Sequence, residues 1–160
     1  MPIKHEDDGD LTIPWTFRYE ASFRLEHPDL DPAAVGATLG MVADVSRPAV
    51  PGGDGGPGTP SLWIRNVPEE PELAAALRGF TERLAPAAGF LARARDEGGR
   101  CGFVVLILVD YNAMTELGAD LLLRLAGLRI DLTVHALAAD SEESLAGARE
   151  LLGRAGGGPV

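Results

Sequence analysis

The chain has one cysteine and one lysine in 160 residues, and no apolar run longer than Phe103–Val109. Each shortage excludes something. A lone Cys101 rules out an intrachain disulfide and any cysteine-rich zinc site. It opens an apolar stretch, so it reads as a buried thiol that packs like a small hydrophobe. With Lys4 as the only lysine, thirteen arginines are scattered among more numerous acids, and the formal charge is −10. Phosphate backbones demand clustered cations, so nucleic acid is not an expected partner. Seven apolar residues fall far short of the roughly 20 that span a bilayer, so no membrane partner is expected either. The opening MPIKHEDDGD is acidic, unlike a signal or transit peptide. The expected location is a reducing cytoplasm. The Gly-rich stretch before Pro60 lacks the Gly-Lys-Ser/Thr ending of a phosphate loop. No motif places a Ser–His–Asp or Cys–His set.

What is present is pattern. Length and mass (16.8 kDa) suit one domain that hides roughly 70% of its unfolded surface. Residues 1–12 read as a disordered acidic tail, 13–153 as a single α+β domain, and 154–160 as a flexible tail. Between Trp15 and Glu26 the alternation is unbroken: Trp15, Phe17, Tyr19, Ala21, Phe23 and Leu25 share one face, and polar residues the other. Period two predicts a strand with one buried side. Asp31 can accept N–H groups of a helix's first turn, Pro32 suits the first helical position, and Gly40 suits a left-handed stop. Residues 47–60 are so rich in Gly and Pro that they read as a flexible, hairpin-like loop. Ser61–Val67 is a short strand. Leu73, Leu77, Phe80 and Leu84 form one helical stripe that Pro86 breaks. A further short helix then closes at Gly98-Gly99.

Cys101 to Leu137 reads as strand, helix, strand. Residues 103–109 are apolar on both faces, so both should be covered. Leu117, Leu121 and Leu125 share a helix face, with Asp120 and Arg124 spaced for a surface pair. Ile130 to Leu137 alternates again. Ser141 can cap a last helix bearing Leu145, Ala148, Leu151 and Leu152.

The two halves echo one another in pattern. That predicts a ferredoxin-like duplication of split β-α-β units, with a four-stranded, mainly antiparallel sheet and helices on one face. A three-layer α/β sheet is the alternative. The far side of residues 103–109 is left for a helix of the chain or another subunit to cover. The alternating first strand, LDPAAVGATLGM, Trp63, and the late apolar strand leading to LGADLLLRLAGLRIDL together resemble a bacterial domain of unknown function (DUF4279-like). In that family a loop with a basic residue follows the Leu-Gly helix end. Arg47 matches that residue, while Pro48-Ala49 stand where the family has Gly. The resemblance implies a small α+β domain and brings no catalytic residues.

Few residues suggest chemistry. His27, Asp29 and Asp31 have metal-ligand character, but Pro28 and the N-cap role of Asp31 explain the segment without metal, no further ligand cluster accompanies them, and no metal is expected. Nor is a cofactor. Asp110, Tyr111 and Asn112 sit at a strand end, where binding residues gather, and with Arg47 they form the candidate ligand-binding set. No catalytic residue stands out. The expected function is a non-enzymatic protein-interaction module, antitoxin- or immunity-like or accessory. It would work with a protein partner or as a homodimer through the sheet. The alternative is a small-molecule-binding accessory protein of a biosynthetic pathway.

Overall fold

A computed structural model describes residues 18–53, 56–109 and 114–138. Among the described residues five strands and four α-helices follow in chain order. They are β1 (Arg18–His27), α1 (Pro32–Leu39), β2 (Val45–Arg47), β3 (Ser61–Asn66), α2 (Leu73–Leu84), α3 (Ala88–Asp96), β4 (Arg100–Val109), α4 (Ala119–Gly127) and β5 (Asp131–Ala138). A 3₁₀ turn over Ala85–Ala87 carries Pro86 between α2 and α3. Trp15, Phe17, both expected tails and the expected C-terminal helix lie outside the described residues. No helix among the described residues is long and apolar enough to cross a membrane.

The fold is α+β, built on one mixed sheet in the order β2-β3-β1-β4-β5. β1 pairs antiparallel with both β3 and β4, while β4 and β5 run parallel. Two expectations are corrected here. The sheet has five strands rather than four, because Val45–Arg47, of which Arg47 reads in sequence as the first residue of a flexible loop, pairs with β3. The split β-α-β duplication fails in its connections. A split unit keeps its two parallel strands apart with another strand between them. Here β4 and β5 are direct neighbours joined through α4, and β1 returns through α1 and β2 to an antiparallel neighbour, β3. Equal hydrophobic spacing in the two halves does not fix strand direction, which depends on how long each connection is and where it lands. The excursion between β2 and β3 is also partly ordered: Val50 and Thr59 exchange two backbone bonds of 2.8 Å.

The core lies on the face bearing the odd-numbered residues of β1, β3 and β4. Phe23, Phe103 and Trp63 pack there against Leu77 and Phe80 of α2, Leu91 of α3, Leu121 and Leu125 of α4, and Val35 of α1. Phe23 is the hub. Its ring meets Phe103 at 5.4 Å, Phe80 at 5.9 Å and Trp63 at 6.3 Å between centroids. Tilted and edge-on pairs of this kind add about 0.5–1.5 kcal/mol each beyond area burial. All four helices therefore lie on one side. The opposite face carries a smaller cluster, Leu106 and Leu108 with Val104 and Leu137 packed on them.

Local signals account for most element ends. The Asp31 carboxylate accepts the Ala33 N–H at 3.1 Å, and Gly40 stops α1 at φ 64°. α4 ends at Gly127; beyond it Arg129 takes a left-handed conformation (φ 56°), and the Ile130 N–H returns to the Leu125 carbonyl. Asp120 and Arg124 do not pair with each other. Asp120 meets Arg78 and Arg124 meets Glu82, so both tie α4 to α2.

Candidate functional site

The most apolar of the described clefts has a volume of about 540 Å³ and lies between α1 and the edge of the sheet. Its wall is the helix face carrying Ala33, Gly36 and Ala37, and its floor includes Trp63. Gly36 sets the closeness of that approach. A Cβ there would stand 2.8 Å from the Met41 carbonyl oxygen and 3.5 Å from Trp63 Nε1. The carbonyl contact is closer than a side-chain carbon tolerates, so glycine is needed where the helix meets the returning backbone, while the indole lies at ordinary contact distance. Trp63 is itself buried and set edge-on against Phe23, so it backs the cleft and leaves almost no open surface in it. At the rim Val42 is 81% exposed. The described lining has Ser46 and the Trp63 indole as its polar side chains and no ionisable group. Such a surface can bind an apolar group. It has nothing that could hold or move a proton at a reacting atom.

Two other clefts are polar. One, of about 570 Å³, is framed by Arg18, Tyr19, Glu69 and Glu70. The Tyr19 hydroxyl is tied there: it donates to the Glu70 carbonyl at 2.6 Å and accepts the Glu70 N–H at 3.2 Å. Burial raises its pKa, the backbone bond to Glu70 opposes this, and the Glu70 and Glu69 charges add to the rise. The other, of about 240 Å³, is bordered by Arg24, Glu26, Arg100 and Asp131. Three of these charges pair: Arg24 with Glu26 at 3.4 Å, and Asp131 with Arg95 at 2.7 Å. Partly exposed pairs of this sort contribute little stability, though they order the surface.

The side chains singled out from sequence fall as follows. Arg47 is exposed at the end of β2, opposite Leu62, which in turn pairs with Glu26. Asp110, Tyr111 and Asn112 lie outside the described residues. Arg100 pairs with Glu26, so Arg47 is level with one end of β4 and Val109 is at the other. His27 has a structural task. It is 4% exposed, and its Nδ1 accepts the N–H groups of Asp29 and Leu30, both at 3.0 Å. A neutral ring then carries its proton on Nε2, which faces Glu97 Oε2 at 3.4 Å. Cys101 is 1% exposed, and burial pushes its thiol up to about 11, only partly offset by Arg95. At neutral pH it is a protonated core group rather than a nucleophile.

Sequence reasoning missed the α1 cleft. Its one visible signal was Gly36 in the middle of a helix, where glycine costs about 1 kcal/mol against alanine and needs a packing reason. Comparison with known proteins matched the chain to no family model, no curated protein and no solved structure.

Proposed function

We propose that the chain is a non-enzymatic protein-interaction module, antitoxin- or immunity-like or accessory in role, which takes an apolar side chain of a basic partner into the α1 cleft. The observation that carries this reading is the lining of that cleft: the exposed Ala33 and Ala37 face of α1 and an exposed Val42 rim with no ionisable side chain. Exposed apolar rims provide contact energy, and the net charge of −10 favours approach of a cationic protein over nucleic acid. A cytoplasmic setting and kinship with the DUF4279-like domains belong to the same proposal.

The test is affinity capture of the tagged full chain from its native cells, beside Val42→Glu and Leu123→Glu variants. A basic protein recovered at near one copy per chain, lost with Val42→Glu and kept with Leu123→Glu, supports the proposal. Leu123 is 72% exposed on α4, away from the cleft, and serves as the control. Equal recovery with all three chains, or no stoichiometric protein, overturns it.

A second reading has its own warrant. The cleft volume falls within the range of small-molecule pockets, roughly 300–1,000 Å³, and an accessory ligand-binding role would use the same apolar lining. Under that reading a small ligand raises Tm in a thermal-shift screen, and Gly36→Ala abolishes the shift.

A further inference from the structure

The two margins of the sheet are finished differently. Natural edges are blunted by short strands, by Lys or Pro, or by a bulge. One margin here is β2, three residues long and followed directly by Pro48, which has no N–H to offer a further strand. The other is β5, eight residues whose outer side has no paired strand among the described residues. β5 contains no Lys, Pro or Gly, and its register with β4 runs unbroken from Asp131 to Ala138. Its one acid, Asp131, stands at the first position and is held by Arg95.

Exposed apolar side chains carry that margin into the helix layer. Leu132, Val134 and Ala136 pair with the core-facing Phe103, Val105 and Ile107, so they share the helix side of the sheet. Leu132 packs on the core, but Val134 is 48% exposed and Ala136 is exposed as well. On α4, Leu121 and Leu125 point into the core, while Asp120 and Arg124 pair with α2. With about 100° between successive residues, the flank opposite α2 carries Leu122 and Ala126. Both are exposed, Leu122 at 46%. α2 sits over β1 and β4, where Phe80 meets Phe23 and Phe103. The Leu122 flank therefore looks out past β5, beside Val134.

We propose that this margin binds a second copy of the chain, β5 pairing antiparallel with β5 about a two-fold axis so that two five-stranded sheets become one and α4 lies beside α4. Symmetry, charge and area select a second copy. A two-fold perpendicular to the sheet keeps both helix layers on one side. Cross-strand partners share a face, so the axis passes through a residue that faces its own copy. Centred on Val134, it sets Val134 against Val134, Leu132 against Ala136 and Thr133 against His135. Chains of net charge −10 repel, and they meet most readily where acids are absent. In this register each Asp131 faces Leu137 of the second copy. The two Asp131 side chains then stand about 20 Å apart, well beyond the screening length of about 8 Å. An eight-residue edge is about 26 Å long, and one sheet layer with one helix layer is about 20 Å deep. Each copy thus presents about 500 Å², and the pair buries the roughly 1,000 Å² that a specific interface needs. The α1 cleft, with Ser46 of β2 in its lining, lies at the other margin and stays open in the dimer.

Light scattering of the full chain should give twice 16.8 kDa. Val134→Lys and Leu122→Glu should each return it to the single mass with an unchanged circular dichroism spectrum, while Val42→Glu, at the α1 cleft, stays dimeric. Should Val134→Lys fail to fold, Leu122→Glu decides, since it changes an exposed helix position. Register is read by disulfide trapping. Facing residues of an antiparallel pair stand about 4.5–5.5 Å apart between Cα atoms, within disulfide reach. Val134→Cys should therefore cross-link two copies under mild oxidant, and Asp131→Cys should not. Cys101 is buried and stays out of the reaction. A full chain that keeps the single mass at high concentration overturns the proposal. So does a dimer that survives both Val134→Lys and Leu122→Glu, or one in which Asp131→Cys cross-links as readily as Val134→Cys.

Discussion

Leu106→Ala separates a sheet buried on both sides from one open on one side. Leu106 is 2% exposed, and its β4 neighbours on the helix side, Val105 and Ile107, point away from it into the main core. If its own face is sealed, truncation removes buried carbons and leaves a cavity, at about 2–5 kcal/mol. If that face is open to water, the loss should resemble a surface change, within about 0.5 kcal/mol. For a chain of this length, 2–5 kcal/mol corresponds to a Tm drop of roughly 4–20 °C. Urea unfolding monitored by circular dichroism gives the number directly, provided the slope with denaturant is unchanged. Leu121→Ala, at 0% exposure under α4, is the matched control on the other face. Equal losses support two buried faces. A loss for Leu106→Ala within about 0.5 kcal/mol, beside a large loss for Leu121→Ala, refutes the reasoning.

Cys101 gives a pH prediction. Its pKa rises from 9.0 to about 11 in the folded chain. The folded state therefore holds the proton longer than the unfolded state, and stability is lost as pH climbs from about 9 towards 11, by about 2–3 kcal/mol. Denaturation across that range should show this loss, and Cys101→Ala should remove the part owed to the thiol. A thiol reagent at neutral pH should leave the native chain unmodified and label it fully in denaturant. Gly36→Ala puts a Cβ 2.8 Å from the Met41 carbonyl; overpacking there should cost about 1–3 kcal/mol and shift the Trp63 indole N–H signal, and an unshifted signal would mean the helix does not approach as described. Asp31→Ala should cost about 0.5–2 kcal/mol through loss of the α1 cap, measured by urea unfolding; no change would mean the carboxylate bond is not made in solution.

The elements whose signals are local were legible in the sequence. β1 alternates because one face is core. α1 is marked at both ends by Asp31-Pro32 and Gly40, and α2 shows its stripe of Leu73, Leu77, Phe80 and Leu84, all buried. The two apolar faces of residues 103–109 were also plain, and the structure splits them into two clusters. Topology was not legible. The same strand–helix–strand spacing gives an antiparallel return in the first half and a parallel neighbour in the second, and no residue pattern encodes which. β2 was hidden because three residues beside a Gly/Pro-rich stretch carry no period. The α1 cleft was hidden because it is made by what Gly36 lacks. Arg47 was picked as a loop cation and proved to be the last residue of an edge strand.

The most direct test of the account is an NMR map of the isotopically labelled chain with the basic protein recovered from native cells. The account predicts that shifts cluster on Ala33, Ala37 and Val42 and on the Trp63 indole N–H, with α4 silent. Shifts centred instead on Arg18, Tyr19 and Glu69, or no shift in the α1 cleft on formation of a stoichiometric complex, would contradict it.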